Sequence, residues 1–149
     1  MAPQRPGSVT GAVWLLLAVV AMSGVTALLT LVLEQDMIDA WAAGRSDVGS
    51  VKPPAFVPVA ITMFVVVASL AGVLIRFFVQ GHNWARILLT ALVVLMGVAT
   101  VAGLRTGPPA LFFVLAAASL VIDVVAIGLL WHRDTRAYTG EWVETGPRS

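Results

Sequence analysis

In the stretch "SLVIDVVAIGLLWHRD", Ser119 to Asp134, a single carboxylate, Asp123, stands among residues that otherwise belong in hydrocarbon. An acid in such a place has three chemical options. It can be protonated and hydrogen-bonded to a hydroxyl such as Ser69 or Thr100, ionised against the guanidinium of Arg76, or exposed to a water-filled cavity as a proton or cation site. Ser119 lies four residues before it, on the same side of a helix. Asp123, Arg76, Ser69, Ser119 and Thr100 therefore form a candidate intramembrane polar site.

A second group is the turn "GHNWAR", Gly81 to Arg86. His82, Asn83, Trp84 and Arg86 could form a docking surface or hold a lipid headgroup. Each also has a structural reason to be there. Gly81 ends one helix, Asn83 can cap the next, Trp84 anchors at a membrane interface, and Arg86 follows the charge bias of cytoplasmic loops.

Other chemistry finds little to hold. The chain has no cysteine, which excludes disulfides, thiol catalysis and cysteine-bound metals. Its two histidines, His82 and His132, fall at helix ends, and no nucleophile, base and orienting group occur at a selective spacing. Glu34, Asp36 and Asp39 would be hard-cation ligands only with six to eight oxygens in a shaped loop, so they read as a solvated helix end. Neither catalysis nor a metal or other cofactor is expected. A net charge of +1 gives no reason to expect nucleic acid.

The elements that must position these groups follow from composition. The chain is 59% apolar and 11% charged, against a soluble norm of about half and about a quarter. Four stretches reach the roughly 20 residues that a helix needs to cross a bilayer. They are Gly11 to Leu33, Ala55 to Val79, Ile87 to Leu104 and Ala110 to Trp131. The first is too long for a signal peptide, whose apolar core is about 7 to 15 residues, and reads as a retained helix. After it, "EQDMIDAWAAG" keeps helical spacing, with Leu33, Met37 and Trp41 on one face, and should prolong that helix.

Short turns make neighbours antiparallel, so the expected fold is an all-α, up-down-up-down four-helix bundle over residues 1–133. Residues 134–149 have too little apolar content for a domain and read as a disordered tail, although Tyr138 and Trp142 would share one face of a short interfacial helix. With the amino terminus inside, Arg5, Arg76, Arg86, Arg133, Arg136 and Arg148 are cytoplasmic, whereas Arg45, Lys52 and Arg105 are outside. This bias places both termini in the cytoplasm and the bundle in the plasma membrane.

Small and weakly polar residues recur at helical spacing: Ser23, Thr26 and Thr30; Thr62, Ser69, Gly72 and Arg76; Gly97, Thr100 and Gly103; Ala116, Ser119 and Asp123. Such stripes are expected to face one another inside the bundle, where small side chains allow close helix approach. Asp123 costs about 2.5 to 3.5 kcal/mol on the insertion scale, while the thirteen Leu, Ile, Phe and Val residues of its span return roughly 4 to 8 kcal/mol. The span inserts despite its acid.

The order of the spans, the turn "GHNWARILL" and the final "DVVAIGLLW" followed by "RAY" resemble a family of small four-span actinobacterial membrane proteins, usually described as hypothetical membrane proteins. The resemblance covers nearly the whole chain and implies this topology and an actinobacterial source. Where that family often has an aromatic pair after the last span, Ala137 and Tyr138 stand here. Small multidrug resistance transporters, similar in size, carry their essential glutamate in the first span, which holds no acid in this chain.

Two functions are therefore expected to compete. One is a non-catalytic accessory, assembly or scaffold subunit, in contact with lipid and with another membrane protein or a second copy of itself. The other is a small transporter or channel with Asp123 as its coupling site.

Overall fold

A computed structural model describes residues 6–43, 45–47, 49, 52–53 and 55–140. It contains six helices in those residues: α1 (Gly7–Val32), α2 (Glu34–Ala43), α3 (Phe56–Val79), α4 (Asn83–Leu104), α5 (Ala110–Leu130) and α6 (Arg133–Gly140). Helices α1, α3, α4 and α5 are each long and apolar enough to cross a membrane. The chain is thus an all-α, multi-pass membrane bundle.

The four long helices stand in a ring. Both α1 and α4 pack against α3 and α5, which leaves α3 and α5 on one diagonal. The sharp turn between α3 and α4 has a local cause. Gly81 takes φ +88°, its N–H donates to the Phe78 carbonyl at 2.9 Å, and the His82 N–H donates to the Phe77 carbonyl at 3.2 Å. Those two bonds close a Schellman motif, which requires the left-handed conformation that glycine adopts without penalty. Asn83 does not cap α4. It is the first helical residue, and the cap position falls on His82, which makes no side-chain capping bond.

Two further expectations change. The helix begun in the first span breaks at Leu33 (φ −105°, ψ 26°), and α2 is a separate element. Its predicted face holds, since Met37 and Trp41 are buried, and Glu34, Asp36 and Asp39 are exposed. The tail is also ordered at its start. Residues 133–140 form α6, which packs across the end of α1, α4 and α5, while residues 141–149, with the proposed partner Trp142, lie outside the described residues.

Helix α6 is short and polar, so hydrogen bonds do the docking. Thr135 is fully buried, with its hydroxyl 2.9 Å from the Leu129 carbonyl and 3.0 Å from the Ser8 hydroxyl. Tyr138 donates its phenolic hydrogen to the Val79 carbonyl at 2.8 Å, satisfying a backbone group at the open end of α3. Tyr138→Phe removes this one bond and is expected to cost about 1 kcal/mol. Hydrogen exchange should then quicken in α6 while the four long helices keep their protection.

The apolar core lies in the half of the bundle nearest α6. There Val9, Leu16, Leu74, Phe78, Leu89, Val93 and Leu130 interlock with little or no exposure. Outside, Val32, Leu95, Val114, Val121 and Val124 face away from the bundle. An apolar exterior around an apolar interior is what a lipid surround selects.

Candidate functional site

Asp123 stands on the inward face of α5, in register with the buried Phe112, Ala116, Ala126 and Leu130. It is itself only 5% exposed. No hydrogen bond reaches its Oδ1, and no cation pairs with it among the described residues. Across the α4/α5 contact stands Gly97. A Cβ added to that glycine would lie 3.7 Å from Asp123 Oδ2 and 3.7 Å from Leu120. The carboxyl therefore rests beside the bare backbone of α4.

The expected polar site assembles only in part. Arg76 and Ser69 are exposed on α3, diagonal to α5, so neither meets Asp123. Ser69 donates to its own Val65 carbonyl at 2.7 Å, and Thr100 to Met96 at 2.9 Å. The whole α3 stripe is turned outward, because Thr62, Ser69, Gly72 and Arg76 are all exposed. The other stripes contribute to the interior through Thr26, Thr30, Thr100, Ala116, Ser119 and Asp123.

Those interior hydroxyls line something that the sequence did not announce. In the half next to α2, the helices border a partly open cavity of about 570 Å³, with Ser23, Thr30, Met37, Met96, Thr100 and Ser119 among its walls. That is within the range of small-molecule sites, about 300 to 1,000 Å³. Thr26 and Thr30 donate to Met22 and Thr26 carbonyls at 3.0 and 2.9 Å, so they offer the cavity acceptor lone pairs rather than free hydrogens. Asp123 is not in the wall. It lies one helical turn past Ser119, about 6 Å further along the α5 axis.

The expected docking turn divides as well. His82, Asn83 and Trp84 are exposed, and Phe77 gathers two of them: its ring centroid lies 5.6 Å from His82 and 5.1 Å from Trp84. Arg86 is not part of that surface. Two residues beyond Trp84 the helix has turned by about 200°, and Arg86 is buried beneath α6 with 7% exposure. Its Nη1 donates to Thr139 Oγ1 at 3.2 Å, and its guanidinium carbon lies 5.0 Å from the centre of the Trp131 ring. Trp131 is held in turn by its indole N–H, which donates to Thr90 Oγ1 at 3.1 Å.

Sequence reasoning missed Thr90, Thr135 and Thr139 as partners. The available signal was the pair Thr135 and Thr139, four residues apart on one face of a polar segment. Among the described residues no three His, Asp or Glu side chains gather as a metal site. Comparisons with protein-family models, with curated proteins and with solved structures return no match to this chain.

Proposed function

We propose that this chain is a non-catalytic membrane subunit that works through helix-face contacts, with a larger membrane protein or with further copies of itself. One observation carries the proposal: the small and polar stripe of α3 faces away from its own bundle. A Cβ on Gly72 would meet nothing within 4 Å. No contact in the chain uses the missing side chain, whereas a second helix packed on Ser69, Gly72 and Arg76 would use it for close approach. Arg76, in the last turn of α3, adds a charge to the same outward stripe.

The absence of cysteine makes a direct test simple. Gly72→Cys, expressed in native membranes and treated with a thiol crosslinker, is expected to give one discrete adduct, either a dimer or a fixed heavier partner. Val124→Cys, on the 70% exposed face of α5, should give none. Equal labelling of both positions with no adduct would reject the subunit role.

The alternative function, a small transporter or channel, draws on the unpartnered Asp123 beyond the cavity. It requires a proton- or cation-coupled flux that Asp123→Asn abolishes in a folded protein. A variant that stays folded and changes no flux in reconstituted vesicles would exclude it.

A further inference from the structure

Arg86 is a second buried charge, besides Asp123, that lacks a counter-charge among the described residues. The residue is 7% exposed, and no described carboxylate pairs with its guanidinium. Asp134, the acid of that end, faces His132 at 3.5 Å instead. The neighbouring Arg136 adds a second positive charge that repels it. A buried cation without a counter-charge is costly, and a stacked indole and one hydroxyl relieve only part of that cost.

The hydrogen-bonding pattern of this guanidinium is directional. Nη1 is taken by Thr139, Trp131 lies against the group, and Nε is buried with no partner. Nη2 makes no hydrogen bond either. Nε and Nη2 share one edge of the planar group, the edge whose two parallel N–H bonds match a pair of oxygens on an oxyanion. Arg86 also stands in the first turn of α4, where backbone N–H groups add positive potential.

We propose that the Nε and Nη2 edge of Arg86, between the start of α4 and α6, binds a phosphate group. Free inorganic phosphate and the headgroup of an anionic phospholipid share that chemistry, and the position of Arg86 at the end of a membrane helix suits both. A lysine could supply the charge but not the two-pronged edge.

The test uses the full-length purified protein and follows its thermal unfolding midpoint. One arm titrates inorganic phosphate into the detergent-solubilised protein, with chloride at equal ionic strength as the control. The other arm compares vesicles of phosphatidylcholine alone with vesicles that also contain phosphatidylglycerol. A saturable rise in the midpoint, with affinity at least about tenfold weaker in Arg86→Lys, is the expected result. A rise in the first arm identifies the free anion as a ligand, and a rise in the second arm alone identifies the lipid headgroup.

Should Arg86→Lys fail to fold, the response of the unchanged protein is read through its tryptophan signal instead, with Trp131→Phe as the spectroscopic reference. Its tryptophan emission, compared with that of the unchanged protein under the same titration, reports whether the ligand arrives beside residue 131. No rise in either arm, an equal rise in Arg86→Lys, or a response that appears only after Glu141→Gln and Glu144→Gln would overturn the proposal. In the last case the chain's own carboxylates are the anion.

Discussion

Asp123→Ala is expected to make the bundle more stable in detergent. In the unfolded chain this carboxyl reaches water, whereas in the folded bundle it is 95% buried with Oδ1 unpartnered. A buried polar group without a partner costs about 1 to 3 kcal/mol. Removing it breaks no bond, because Arg76 and Ser69 are turned away and Thr100 is bonded to Met96. The three-atom void that alanine leaves costs less, on the order of 0.5 kcal/mol. The balance is a gain of about 0.5 to 2.5 kcal/mol on these terms, read as a higher unfolding midpoint of the purified protein. Membrane insertion should improve in the same direction, since the acid is the main penalty in its span. A lower midpoint would show that a cation or ordered water holds the carboxyl in solution, and that outcome would favour the transport function over the subunit. The sign of one measurement thus bears on both proposed functions.

Such a test was needed because the sequence shows which residues are polar but not which way a membrane helix turns them. The four long helices were legible from the apolar runs alone, and the turn at Gly81 from a glycine between two of them. Helix faces were harder to read. In water, an apolar residue marks the inside of a helix. In lipid, Val121 and Val124 are as well placed outside as Leu130 is inside, so periodicity loses its contrast. Polar residues carry what contrast remains, and for three helices they marked the interior. On α3 the same logic failed, since Thr62, Ser69, Gly72 and Arg76 face outward. Arg86 misled for a different reason. The bias of arginine toward one side of a membrane fixes its depth, but the burial under α6 comes from Thr135, Tyr138 and Thr139, in a segment whose polarity argued for disorder. Short helices docked by hydrogen bonds rather than by an apolar face leave almost no periodic signal. The cavity leaves none, because it is a space between residues that are each unremarkable.

The close approach of α1 to α3 leads to the second large effect. At Gly24 the two helices approach closely: a Cβ there would lie 3.0 Å from Cε2 and 3.3 Å from Cζ of Phe64. The ring edge of Phe64 thus fills the space that the missing side chain leaves. Gly24→Ala is expected to be mild, because alanine also favours the helix and the ring can shift by a few tenths of an ångström. Gly24→Val has no such relief. Its two γ-carbons must occupy the ring's place, which forces Phe64 off its rotamer or α1 away from α3, at about 1 to 3 kcal/mol. That contact lies in the half of the bundle without the dense core, beside the cavity walls Ser23 and Met63, so little else there resists separation. The measurement is a double-mutant cycle on unfolding in detergent, with Gly24→Val, Phe64→Leu and the pair. Phe64→Leu alone should destabilise, since it gives up ring contacts, yet in the pair the shorter side chain makes room for valine. Coupling of at least about 1 kcal/mol is expected, with the double variant more stable than the sum of the singles. Additive effects would mean that α1 and α3 do not meet at this point.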